Sequence, residues 1–432
     1  MSRPGSTDSA PLLLRASRAM QSGDLATAER TCRAVLKAEP NHSGALHMLG
    51  LIAVRAGHAQ AGIELLRKAV AIAPRYGEAW SSLGKALADN DDTAAAEEAF
   101  HRALAAHPQY WPAESGLAAV WNAAGLIDKA RDLLSNAVAA HLDNAAPPFE
   151  LANLLQEQGD HAGAIRGYSE ALVRNPKLVA ARSNRAAARL KAGDAAGALE
   201  DADAYLATGA KSANVVAYRV LALQSLDRRD DARDWDDVNT MVYPATPAAE
   251  PGFAAQLEAD IRAHPRLTGS WDPAMRAIRG GKVALDLARD PTPTIAAFLA
   301  MIRAEVDALR DRLPDRPGHP FFGAKPAKYR MSVWGNILSP GNHQAAHIHN
   351  YGWVSGTYYP TLPATISDAS DAGWISFGTP GYGLPVPPAL ATRTLKPVAG
   401  SMFMFPSYLW HHTVPLETGE DRVSIAFDIV PA

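Results

Sequence analysis

The sequence predicts two domains of different class: an all-α solenoid of short paired helices, then a β-rich sandwich or jelly-roll barrel with flanking helices. Three observations predict this. Small residues recur at a 34-residue step through the first half. The recurrence stops near Trp235. Beyond residue 325, short aromatic and β-branched runs alternate with glycine and proline turns.

The repeat comes first in the chain. Glycine stands at Gly23, Gly57, Gly125, Gly159 and Gly193, with Asp91 and Asp227 on the remaining steps of the same ladder. Proline keeps the step at Pro40, Pro74, Pro108 and Pro176. A third phase holds Ala28, Gly62, Ala96, Ala130, Ala164, Ala198 and Ala232. Within "EAWSSLGKALADNDDTAAAEEAFHRALAAHPQY", Trp80, Leu83 and Leu87 form one helical face, and Ala96, Ala99, Phe100 and Ala103 form another. The polar "DNDD" separates them. Small residues let such helices cross closely, and proline ends the second helix by removing a donor.

These units resemble the tetratricopeptide repeat over residues 10–238, in about six units and a final partial one. The fourth unit carries Leu142 where proline is expected. The resemblance implies a superhelix whose curved groove takes a protein or peptide segment. The alternative is that the repeats make a homodimer or brace the second half.

Composition narrows the function classes. The chain has 432 residues, 47% hydrophobic and 20% charged, as expected of a globular protein with ample core material. A net charge of −3 supplies no basic field for nucleic acid or an anionic membrane. Cys32 is the single cysteine, which excludes an internal disulfide or a cysteine-based zinc cluster. "PLLL" is too short for a secretory core, and no later window approaches a membrane span. The expected setting is cytoplasmic.

"MVYPATPAAEPGF" has the composition of a linker, so a second domain is expected over residues 250–432. "TIAAFLAMIRAEVDALRDRL" reads as a helix with Ile295, Phe298, Leu299, Ile302, Val306 and Leu309 on one stripe. The runs "YRMSVWGNIL", "GWVSGTYYP", "GWISFG", "GSMFMFPSYLW" and "DRVSIAFDIV" read as strands.

Three of the 14 histidines fall within "HQAAHIH". On a strand, His347 and His349 share a face, which suits two ligands of one metal. "FPSYLWHHTVP" offers His411 after another strand as a third. In "DRVSIAFDIV", Arg422 and Ser424 share one face, and a buried arginine there needs an anion. A metal, a nearby arginine and a β-barrel together describe a non-haem iron site that accepts a dicarboxylate co-substrate and dioxygen.

"RMSVWGNIL", "HIHNYGWVSGTYYPTLP", "GSMFMFPSYLWHHTVP" and "DRVSIAFDIVP" resemble, in this order, the 2-oxoglutarate/Fe(II) oxygenases found fused to tetratricopeptide repeats. The resemblance covers residues 250–432 and implies a double-stranded β-helix of the jelly-roll, cupin-like type. It implies His347 and His411 as iron ligands. Arg422, with Ser424, would bind the distal carboxylate of 2-oxoglutarate, and Tyr358 or Tyr359 would add a hydrogen bond.

His349 stands where many such oxygenases have an acid: it is expected to be the third ligand, the alternative being that it stands behind the site and iron has only two protein ligands. His343 and His319 are expected to be polar surface, His412 to point away from the metal, and Asp368 and Asp371 to be solvated. Trp353, Trp374 and Trp410 are expected to pack the barrel. The implied activity is a hydroxylating dioxygenase acting on a protein or peptide presented by the repeats. The competing readings are a dioxygenase for a small molecule and a non-catalytic scaffold with a metal-binding barrel.

Overall fold

The computed structural model describes residues 9–269, 277–388, 390–416 and 419–432. The chain divides into two compact units, Met1–Leu178 and Val179–Ala432.

The first unit holds ten helices among the described residues: α1 (Ser9–Gln21), α2 (Leu25–Ala38), α3 (Ser43–Arg55), α4 (Ala59–Ile72), α5 (Gly77–Ala88), α6 (Thr93–Ala106), α7 (Trp111–Ala123), α8 (Ile127–Ala140), α9 (Ala146–Glu157) and α10 (His161–Arg174). They pack in pairs, and the glycine ladder marks the turn inside each pair. Every step of it is left-handed, with φ of +75° to +84° at the five glycines and +61° and +58° at Asp91 and Asp227. Backbone freedom explains this phase, since no atom crowds a Cβ added at any of those five glycines. The third phase has a different cause. Ala28, Ala96, Ala130 and Ala164 are fully buried, and a Cβ on Gly62 would lie 2.5 Å from Val54 Cγ2 and 2.8 Å from the Gly50 carbonyl. A fourth phase also emerges. Asp24, Asp92, Asp160 and Asp194 each cap the following helix by accepting a backbone N–H from the third residue along.

The second unit opens with α11 (Val179–Lys191), α12 (Ala195–Leu206), α13 (Ala213–Ser225) and α14 (Arg229–Asp236), and later adds α15 (Phe253–Arg262) and α16 (Pro293–Arg312). Its strands are β1 (Tyr243–Ala245), β2 (Leu267–Thr268), β3 (Ile278–Arg279), β4 (Lys282–Ala284), β5 (Tyr329–Leu338), β6 (His343–Gln344), β7 (Val354–Tyr359), β8 (Ile375–Phe377), β9 (Arg393–Leu395), β10 (Ser401–Pro406), β11 (His411–Thr413) and β12 (Arg422–Pro431). The major sheet has seven strands in the order β1-β10-β7-β12-β5-β4-β2. The minor layer comprises β11-β8-β9 and β3-β6. This is the jelly-roll expected from the strand runs.

One hydrophobic core joins Val220 and Leu221 of α13 to Phe298 and Ile302 of α16 and to Ile425 and Phe427 of β12. The last repeat-like helices therefore share a core with the sheet, upstream of the compositional break near residue 238. The proline-rich stretch after that break is also more than a linker. Residues 243–245 form an edge strand on β10, where proline at the sheet margin is tolerated. His319 departs from its expected surface role. It is buried, its Nε2 donating to the Asp234 carbonyl at 2.7 Å while Nδ1 accepts from the Phe321 and Phe322 amides. Among the described residues, no helix is long and apolar enough to cross a membrane.

Candidate metal centre

Alternation along β12 sorts its side chains. Val423, Ile425, Phe427 and Ile429 enter the hydrophobic core, leaving Arg422, Ser424, Ala426 and Asp428 on the barrel's interior face. A β-bridge pairs His347, which follows β6, with His411 of β11. His347 N donates to the His411 carbonyl at 3.0 Å, and His411 N returns a bond to the His347 carbonyl at 3.1 Å. This reciprocal pair sets both imidazoles side by side, with ring centroids 4.2 Å apart. His349 N donates to the Ser407 carbonyl, which anchors the third histidine.

One ring nitrogen from each of His347, His349 and His411 lies within 4.8 Å of the other two. The Nε2 atoms of His347 and His349 are 3.2 Å apart, close to the roughly 3 Å that two imidazoles on one metal require. The opposite ring atoms are all engaged. His347 Nδ1 donates to the Ala345 carbonyl at 2.8 Å and His411 Nδ1 to the Leu409 carbonyl at 3.0 Å. His349 Nδ1 meets Asp428 Oδ1 at 2.5 Å. These bonds fix the tautomers and leave the inward Nε2 lone pairs free for a metal. Burial, followed by the adjacent His349, pushes His347 down to about 3. Burial likewise holds His411 well below its ordinary value. Both rings are therefore neutral at ordinary pH, as metal binding demands. The donor set fits a borderline divalent ion of the iron or zinc kind.

Asp428 is absent from the residues singled out in the sequence, although it lies on the Arg422 face by simple alternation. Its Oδ1 also accepts from Ser355 Oγ at 2.6 Å, and Ser355 Oγ bonds Ser407 Oγ at 2.8 Å. Such a carboxylate behind a ligand histidine orients the ring. No sequence signal marks Ser355.

Arg422 is 2% exposed. Its Nε donates to the Gly373 carbonyl at 3.0 Å and its Nη2 to the Tyr359 hydroxyl at 3.2 Å, with the guanidinium stacked 4.9 Å from the Tyr359 ring. Nη1 is buried with no partner among the described residues. The neighbouring Asp421 is bonded instead to Arg262 at 3.0 Å. No carboxylate among the described residues pairs with Arg422. Ser424 is buried on the same interior face.

Of the two tyrosine candidates, the structure brings in only Tyr359. Tyr358 points through the other face of β7 onto Phe298, with centroids 4.9 Å apart, because consecutive strand residues alternate. His412 alternates away from His411 in the same manner, and His343 stands outside the triad. Asp368 pairs with Lys396 at the surface. Trp353 and Trp410 are buried in the core, and Trp353 Nε1 donates to the Phe321 carbonyl.

A cleft of about 220 Å³ opens beside His347 and His349, walled by Trp334, Tyr351 and Tyr382. The Tyr382 loop is pressed onto the segment that carries the first histidine, which lies beyond the end of β6 and not on a strand; there a Cβ on Gly381 would fall 1.8 Å from the Ala346 carbonyl.

Residues 332–428, which hold this whole constellation, match the sequence family described as "Putative 2OG-Fe(II) oxygenase". Residues 13–77 and 149–213 match one tetratricopeptide-repeat family and residues 87–148 another. The chain joins tetratricopeptide repeats to a 2OG-Fe(II) oxygenase-family domain. That family implies Fe(II) and 2-oxoglutarate, and the histidine triad of the oxygenase-family domain can accept such a metal.

Protein FlbA of Caulobacter vibrioides is 27% identical over 199 residues, covering 46% of this chain and 33% of that protein. The chain thus spans about a third of that relative's length. Among solved structures, MamA shares 26% identity over 39% of this chain and 92% of its own, with a TM-score of 0.33. A thermophilic TPR protein of Thermus thermophilus, TTC0263, shares 24% identity over 42% of this chain and 99% of its own, with a TM-score of 0.38.

Proposed function

We propose that this protein is a 2-oxoglutarate- and Fe(II)-dependent dioxygenase that hydroxylates a protein or peptide segment presented by its repeats, in a cytoplasmic setting. The observation that carries the reading is Arg422. A guanidinium buried, among the described residues, against only a carbonyl and a phenol is costly until an anion joins it. A structural zinc site would have no use for it.

In this reading His347, His349 and His411 hold the iron through Nε2, and Asp428 keeps the His349 ring in place. Arg422 takes the distal carboxylate through its free Nη1, with Ser424 and the Tyr359 hydroxyl beside it, and so fixes the length and direction of the co-substrate. The bound pair of Fe(II) and 2-oxoglutarate supplies dioxygen activation, coupled to decarboxylation to succinate and hydroxylation of a substrate C–H. The walls of Trp334, Tyr351 and Tyr382 keep water from the histidines once a substrate fills the cleft.

The protein-substrate reading draws on the repeats. Leu51, Val54, Ser82, Lys85, Pro112 and Ser115, from the first helices of successive pairs, line a groove of about 670 Å³ in the first unit. That is ample for an extended segment. Succinate release with Fe(II) and 2-oxoglutarate, with and without protein fractions, tests the proposal. Stimulation by a protease-sensitive fraction is expected. No succinate under any condition would rule out the oxygenase, and stimulation by small-molecule fractions alone would rule out the protein substrate.

A further inference from the structure

Asn336 lies on β5 directly opposite Ser424 of β12, and facing residues of an antiparallel pair point to the same side. Two residues before it, Trp334 sits opposite Ala426 with its ring 5.5 Å from that of His349. Two residues after it, Leu338 sits opposite Arg422. Asn336 therefore occupies the interior level between the histidines and the arginine, about 7 Å from the Arg422 level along the strand. It is 1% exposed, yet among the described residues neither Nδ2 nor Oδ1 has a hydrogen-bond partner. A carboxamide carries two donors and an acceptor, and burying it unpaired is a standing cost to the fold. An apolar residue at this position would pack without that cost. Among the described residues, Arg422 Nη1 is another unpartnered donor on this face, one level further on.

We infer that Asn336 is a co-substrate-binding residue that donates through Nδ2 to the metal-end carboxylate of 2-oxoglutarate. This rests on the oxygenase reading above. Arg422 grips the far carboxylate, whereas Asn336 stands nearer the histidines, where the 2-oxo acid end must lie for the metal to bind it. A carboxylate only accepts hydrogen bonds, so it pairs with Nδ2, and Oδ1 is left to a water.

The test uses the full chain loaded with Mn(II) and titrated with 2-oxoglutarate and with 2-oxobutyrate, which lacks the distal carboxylate. Asn336→Leu should weaken both acids by about the same tenfold factor. The metal-free variant should melt no lower than wild type. Asn336→Asp keeps the shape but replaces the donor with a like charge, and should bind neither acid even if the leucine variant folds poorly. Unchanged affinity in both variants would reduce Asn336 to a hydrated core residue. A loss confined to 2-oxoglutarate would move it to the distal carboxylate, and a fall in metal-free melting temperature for Asn336→Leu would make its role structural. Each of these overturns the inference while leaving the oxygenase reading intact. Failure of wild type to bind 2-oxoglutarate would remove both.

Discussion

Two guanidinium sites in this molecule, one partly buried and one fully buried, are treated in opposite ways. Between α11 and α12, Arg185 and Arg189 close on the buried Asp201, with Arg185 at 2.6 and 2.8 Å and Arg189 at 3.0 Å. Asp194 lies 3.4 Å from Arg189, so two carboxylates meet two guanidinium groups. In the barrel, Arg422 is more deeply buried and among the described residues meets only the Gly373 carbonyl and the Tyr359 hydroxyl. The repeat-like helices spend their polarity on their own packing. The barrel holds part of its polarity open, and that is the physical mark of a site awaiting a ligand.

The comparison breaks most visibly at the metal. His347→Ala or His411→Ala should abolish bound iron in metal analysis, whereas Asp201→Ala should leave it in place. Undiminished iron in both histidine variants would dismiss the triad. Next in size is stability. Asp201→Ala removes the buried carboxylate that both arginines share and should cost about 3–5 kcal/mol in denaturant unfolding. Arg422→Met removes a charge that has no counter-ion among the described residues and should leave the metal-free protein within about 1 kcal/mol of wild type, or above it. Similar losses in the two variants would erase the contrast.

A somewhat smaller effect concerns pH. His47 in α3 is buried, with Nδ1 on the Tyr76 hydroxyl at 3.0 Å and Nε2 on the Ser82 hydroxyl at 2.8 Å, and burial pushes it down to about 4. In the folded state it stays neutral where the unfolded chain, titrating near 6.5, takes up a proton. Its contribution is complete above pH 6.5 and drains away as pH falls towards 4, by about 3 kcal/mol in all. Unfolding of wild type and His47→Gln at pH 7.5, 5.5 and 4 should show the gap between them shrinking across that window. A constant gap would deny the linkage.

Much of this is legible in the chain. The 34-residue ladder reads as a repeat, and its three phases turn out to be left-handed turns, tight helix crossings and helix ends. Asp91 and Asp227 fit the ladder because aspartate tolerates the left-handed conformation better than most residues. The run from Tyr329 to Leu338 is one strand, as its composition indicates. Alternation alone puts Arg422 and Ser424 on one face, and would also have yielded Asp428 and separated Tyr359 from Tyr358. Other features have no local signal. The β1 edge strand hides in a proline-rich stretch because its pairing comes from β10, far along the chain. Asn336 and Ser355 look like ordinary strand residues until tertiary register shows what they face.

The central claim is that Arg422 is kept for the co-substrate. Titration of 2-oxoglutarate into metal-loaded wild type, Arg422→Lys and Arg422→Ala tests it most directly. Lysine keeps the charge but loses the planar fork, so binding should weaken by roughly 1–3 kcal/mol, more in the alanine variant, with metal affinity nearly unchanged in both. Equal 2-oxoglutarate affinity in wild type and Arg422→Ala would contradict the account.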